Sequence, residues 1–205
     1  KPILENHPCI KALEWVPRIK GEQRTDYEER VRQEGFDHFT IMEKSPDQKL
    51  VPAAMRPEYY PVTYVAPYIS NAGVMGFDIN SEDIRRKALA IARDTSQKTA
   101  SEAVELIQGS NVMPGIVVFH ALYQQGAPLD TTEDRRINNT GFVVGIFRPQ
   151  DILQTTLEAL PYQGVQIAIY DQKTDGLDLL CSNILAEKLN DLDTMKGLQE
   201  HLCYK

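Results

Sequence analysis

No apolar run in the 205 residues approaches the roughly 20 that a membrane-spanning helix needs. The three cysteines, Cys9, Cys181 and Cys203, are too few and too scattered for a disulfide framework, so they read as buried or idle thiols, with a Cys181–Cys203 bridge as the other reading. His7, His38, His120 and His201 stand far apart, and none has a neighbour at metal-ligand spacing. No metal site is expected. The chain also lacks a P-loop, a G-x-G-x-x-G turn and a G-x-S-x-G elbow. With no nucleophile and base at any recognisable spacing, neither catalytic residues nor a cofactor is predicted. Excess positive charge is missing too: charged residues make up 25% of the chain and the net charge is -7. A nucleic-acid binder must neutralise phosphates with a clustered basic face, so that class of partner is excluded. Internal repeats and low-complexity tracts are likewise absent.

What is present is enough chain for one large domain or two small ones. Its most informative passage runs from Tyr59 to Thr95. Tyr60, Val62, Tyr64 and Val65 favour a strand, and Pro61 and Pro67 bracket it as an edge strand or a strand end. Asn71, Gly73 and Gly76 then break regular structure. Asn80 or Ser81 is placed to cap the next helix, whose first turn holds Glu82 and Asp83. Ile84, Ala88, Ile91, Ala92 and Thr95 recur at helical spacing and predict its inward face. Asp78 therefore sits between Phe77 and Ile79 at the approach to a buried helix, where a carboxylate needs a partner.

In the remaining chain, Ile3, Ile10, Leu13 and Val16 recur at near-helical spacing up to Pro17 and predict the end of a long helix. Thr25 and Glu28 form a capping-box pair for a second helix, in which Tyr27 and Val31 share a face and Gly35 supplies the stop. Phe39 to Met42 reads as a strand and Glu43 to Arg56 as a loop. The stretch from Thr99 to Gln108 fits strand or helix equally. Gly115 to Tyr123 is a nearly continuous apolar run suited to a central strand, and Gly141 to Phe147 is its return. The polar residues between them, Gln124 to Asn139, read as a long hairpin loop. A helix from Gln150 to Leu160 and a strand pair, Gln166 to Asp171 and Leu177 to Ser182, complete the chain. Irregular alternation with short hairpins indicates an α+β fold with antiparallel sheets.

The Tyr60-Pro61-Val62-Thr63-Tyr64-Val65 run, Asn71, Gly76-Phe77-Asp78, Arg85 and Arg86, Ala88-Leu89, Ala92 and Thr95 together resemble the CHASE domain. His7-Pro8 and the run from Leu13 to Arg18 look like that family's N-terminal signature. The family is the extracytoplasmic sensory module of bacterial histidine kinases and diguanylate cyclases and of plant cytokinin receptors. The resemblance implies a long N-terminal stalk helix followed by two PAS-like antiparallel-sheet units in tandem. Their expected bounds are residues 1–35 for the stalk and N-terminal helices, 36–148 for the membrane-distal ligand-binding unit and 149–205 for the membrane-proximal unit. It also implies a piece of a longer chain with a transmembrane helix on each side, exposed to the periplasm or exterior and paired as a homodimer through the stalks.

Small-molecule sensing that passes ligand occupancy to a cytoplasmic output is the function so implied. The other reading is a ligand-free dimerisation or protein-partner module of the same receptor. Asp78 carries two readings of equal weight. In the cytokinin-receptor branch the aspartate at this motif position hydrogen-bonds the hormone's adenine, whereas a plain structural role would have it accept backbone N–H groups at the turn. Phe77 beside it, and Val118, His120 and Phe142 on the two long strands, are the other expected ligand contacts. Phe119-His120-Ala121 departs from the plant pattern, which widens the ligand beyond purines to amino acids, carboxylates and other metabolites. Arg85, Arg86 and Lys87 read as a salt-bridged helix face, with an anion site as the alternative.

Overall fold

Two compact units divide the chain, Lys1–Arg148 and Pro149–Lys205. The computed structural model describes residues 4–5, 7, 9–108, 111–161, 165–173 and 176–184. The expectations for Cys203 and His201 fall outside them. Within them Cys9 and Cys181 are unbridged.

The first unit is built on a six-stranded antiparallel sheet. Its strands are β1 (Ile10–Pro17), β6 (Tyr64–Ala66), β7 (Thr99–Ala100), β8 (Val104–Gln108), β9 (Asn111–Tyr123) and β10 (Asn139–Phe147). The order is β6-β1-β10-β9-β7, and β8 also pairs with β9. The shorter elements are β2 (Ile19–Lys20), α1 (Arg24–Gln33), β3 (Met42–Lys44), β4 (Leu50–Pro52), β5 (Glu58–Tyr59), α2 (Tyr68–Asn71), α3 (Asp83–Thr95) and α4 (Thr132–Asn138). In the second unit, α5 (Pro149–Ala159) buries Leu153, and β11 (Ala168–Lys173) pairs antiparallel with β12 (Gly176–Ser182).

The first correction to the sequence reading falls on residues 10–17, which form a strand at the heart of the sheet and not the end of a stalk helix. Ile10, Leu13 and Val16 satisfy helical spacing, but burial follows period two: Ala12, Glu14 and Val16 are buried while Lys11, Leu13 and Trp15 are partly exposed. Pairing with β10 along one side, from Ile10 opposite Phe147 to Pro17 opposite Gly141, and with β6 along the other overrides the local pattern. The edge strand anticipated near Val65 is present, though only Tyr64–Ala66 pair.

Other departures are local. The Thr25–Glu28 capping box does not form, because Glu28 accepts the Ile41 N–H and pairs with Arg24. Tyr27 and Val31 do share the buried face, and Gly35 ends the helix at φ +101°. On α3 the inward face is rotated: Ala88, Leu89 and Ala92 are buried while Ile91 and Thr95 face solvent. Glu82 stands at its N-cap in place of Asn80 or Ser81. The expected 124–139 loop contains α4, held by a Thr131–Asp134 capping box and docked on α3 through Arg136 and Asp94.

One face of the sheet carries Ala12, Val16, Val117, Phe119, Ala121, Phe142, Val144 and Ile146 into a single core with Ala88, Leu89 and Ala92 of α3. A second cluster joins Tyr27 and Val31 of α1 to Phe39, Ile41 and Tyr59. Met75 packs against both, and the next residue, Gly76, has φ +83° and an added Cβ that would lie 2.1 Å from the Thr40 carbonyl oxygen. Both the left-handed backbone and the contact demand glycine there. Gly76→Ala is expected to destabilise the domain by about 2 kcal/mol or more, read as a lower midpoint in urea unfolding; a change under about 0.5 kcal/mol would refute this account.

Candidate functional site

Asp78 is fully buried, and its carboxylate is occupied by its own chain. Oδ1 accepts the Tyr60 N–H at 2.8 Å and the Asn80 N–H at 3.2 Å, while Oδ2 accepts from Arg56 Nη1 at 2.8 Å. Arg56 reaches on to Glu43 with its other nitrogen. The Asp78 N–H in turn donates to the Met42 carbonyl, and the Ile79 N–H to that of Tyr60. Burial pushes the Asp78 carboxyl upward, opposed by the Tyr60 amide and Arg56. Geometry therefore favours the bracing role, since three donors from the chain already fill this group.

Next to this brace lies a cavity of about 550 Å³, walled by Ala12, Val62, Phe77, Ile79, Leu106, Val117 and Ile146, with Lys44, Ser70, Asn71 and Gly73 among the polar and small residues around it. Of the residues expected from sequence, Phe77 alone lines it. Val118 is half-buried and His120 exposed, both on the sheet face opposite to cavity-lining Val117. Phe142 is enclosed in the core, its ring 5.5 Å from that of Tyr60 and 6.1 Å from that of Phe119. Strand alternation explains the split: a side-chain period of two puts Val117 and Val118 on opposite faces.

Sequence reasoning missed Glu14 in this cavity, and it read Arg85 together with Arg86 and Lys87 as a salt-bridged helix face with an anion site as the alternative. Glu14 is only 7% exposed, yet it lies on β1 between Ala12 and Val16 and opens into the cavity. Burial pushes its carboxyl up to about 7, with the Arg85 charge pulling the other way. Arg85 leaves α3 to pair with Glu82, and its guanidinium sits 5.6 Å from the centre of the Phe77 ring. Its own pKa is lowered, by burial first, with Glu14 opposing. Lys44 Nζ stands 4.0 Å from Glu82 Oε1, and its pKa is also lowered by burial and by Arg85. Arg86, by contrast, is an exposed partner of Asp83. The signals that could have found them were the period-two pattern of β1, which places Glu14 inward, and the phase of α3, which separates Arg85 from Arg86.

An apolar chamber with a few convergent charged groups is suited to holding a small molecule. Among the described residues no cluster of three or more His, Cys, Asp or Glu is placed to hold a metal ion, and no helix is long and apolar enough to cross a membrane.

Two stability outcomes follow. Asp78→Ala leaves Arg56 with Glu43 alone and takes the acceptor from the buried Tyr60 amide and the part-buried Asn80 amide, and it is expected to cost about 3 kcal/mol or more in urea unfolding; a loss below about 1 kcal/mol would remove the brace. For Glu14 the folded value of about 7 lies above the ordinary 4.5, so its contribution is fully present below pH 4.5 and is lost as pH rises through 7. Relative to Glu14→Gln, the wild type should lose up to about 3 kcal/mol between pH 4.5 and pH 8. Parallel unfolding curves across that range would show the carboxyl to be unperturbed.

The family model of the CHASE domain matches residues 1–180. Among characterised proteins, the chain is 28% identical over 162 residues to hybrid signal transduction histidine kinase A of Dictyostelium discoideum, covering 76% of this chain and 8% of that protein. It is 20% identical over 177 residues to histidine kinase 2 of Arabidopsis thaliana, covering 83% of this chain and 15% of the relative. The chain thus spans less than a sixth of the length of either.

Proposed function

Because the chain belongs to the CHASE domain family, we propose that it is the extracytoplasmic small-molecule sensing domain of a transmembrane signalling receptor, of the histidine-kinase or diguanylate-cyclase type. The observation that carries this reading is the chamber of about 550 Å³ between the sheet and its covering segments. That volume suits a metabolite-sized ligand. The two relatives, both named as histidine kinases, support the signalling half of the reading.

In this reading the domain is not itself catalytic. Ligand binding in the first unit favours one of two packings, and the second unit passes that preference to an output domain elsewhere in the parent chain. A ligand shifts such a balance only by its differential affinity for the two packings, so large motion is not required. The parent chain supplies flanking membrane helices and pairs as a homodimer, and the two units are PAS-like modules in tandem.

The test is a thermal-shift screen of the domain against amino acids, carboxylates and purines, with Gly73→Trp alongside. Gly73 borders the chamber, and a Cβ added there meets nothing within 4 Å, so a large side chain at its rim is accommodated without a backbone clash. A ligand at 100 times its Kd should stabilise the wild type by about 2.7 kcal/mol. That shift should vanish in Gly73→Trp while the unliganded melting temperature is kept. If no compound moves the wild type, ligand sensing fails and a ligand-free dimerisation or protein-partner module takes its place.

A further inference from the structure

Three side chains of the chamber carry charge at depth: Glu14 from β1, Arg85 from α3 and Lys44 from β3. Arg85 already has Glu82 and the Phe77 ring. Lys44 has Glu82 at the limit of ion-pair distance and Glu105 nearby. Glu14 differs from both. It is more than nine-tenths buried and lines the chamber, and among the described residues no hydrogen bond from the chain acts on its carboxyl. Its one electrostatic neighbour, Arg85, is shared with Glu82. A buried carboxyl without a donor is costly, and the β1 pairing fixes where it points, because Glu14 lies opposite Val144 on one side and Val65 on the other. Asp78, the carboxylate singled out by sequence, has its donors supplied by the chain, so the acceptor left open to an incoming molecule is Glu14.

Building on the reading that this chamber takes a ligand, we propose that Glu14 is its specificity-determining residue and selects small molecules that present an ammonium or amidine-type N–H to it. Its carboxylate accepts the hydrogen bond of that group, and the ligand's charge replaces the missing partner. The apolar body of the ligand lies against Phe77, Ile79, Leu106 and Val117. Lys44 and Lys11, which also line the chamber, disfavour a bare dication and match a ligand with an acceptor or carboxylate at its other end. An amino-acid-like dipole therefore fits better than a simple acid. Selectivity comes from the penalty on ligands that lack the donor, because they would leave the buried carboxyl unpaired.

The groups facing Glu14 and its surroundings are Arg85 and Glu82 of α3 and its N-cap, Lys44 of β3, Glu105 of β8 and Lys11 of β1. Burial pushes the Glu14 carboxyl up to about 7. A ligand that needs the ionised form should bind about tenfold more weakly at pH 6 than at pH 8, since the competent fraction falls by that factor.

The experiment is calorimetric titration of the 205-residue domain with phenylalanine, phenethylamine and 3-phenylpropionate, at pH 6 and pH 8, for wild type and Glu14→Gln. The expected result is that the two amines bind wild type at least tenfold more tightly than the deaminated acid, that this preference shrinks below threefold in Glu14→Gln, and that amine affinity rises about tenfold from pH 6 to pH 8. The pH profile of the wild type stands by itself should Glu14→Gln fail to fold. If 3-phenylpropionate binds as tightly as the amines, or amine binding does not change with pH, the assignment to Glu14 is overturned while the chamber remains a ligand site. If none of the three binds but another compound of the metabolite screen does, the assignment is again overturned and the sensing reading stands. If nothing binds in either experiment, both fall together.

Discussion

The first unit depends on one buried carboxylate. Asp78 lies where the chain leaves a left-handed glycine and enters a short helical turn, and it ties together segments from Met42, Arg56, Tyr60 and Asn80. Apart from the short β3 hairpin strand at Met42, none of these residues lies in a paired strand, so their backbone groups need another way to be satisfied. Asp78 and the amides around it provide that, and α3 starts from the anchored turn. The position of α3 then sets where Arg85 emerges and how much space remains above the sheet.

Much of this was legible in the residues. Long apolar runs at 115–123 and 141–147 announced β9 and β10, because a strand paired on both sides has little use for charge on its inward face. Asp78 was identifiable as a carboxylate in need of partners from its two apolar neighbours alone. What could not be read was which partners it would have. Arg56 is 22 residues upstream, and nothing in local sequence signals that pair. β1 was misassigned for a related reason: Ile10, Leu13 and Val16 fit a helix and a strand alike, and the decision is made by β10, more than a hundred residues away.

The chamber shows the same limit from the side of chemistry. Phe77 was found through its resemblance to a family pattern, whereas Glu14 was passed over because its strand was read at the wrong period. Val118 missed the chamber by one residue, and His120 shares its outer face, since a shift of one along a strand reverses the face. Phe142 faces the chamber's side of the sheet but is taken up by packing with Tyr60 and Phe119. Chemistry at this site is thus decided by register, which is a property of paired strands and not of either strand alone.

The shortness of β6 has a consequence for how such domains behave in company. Beyond it the sheet has an open edge, and an open edge offers unpaired N–H and C=O groups to any neighbouring chain. Here only three residues, Tyr64–Ala66, are extended along it, with Pro61 before them and Pro67 directly after. Proline has no N–H to give, so the template is cut off within one residue of its end. Neighbouring copies of the chain are therefore kept from zipping their sheets together at that edge.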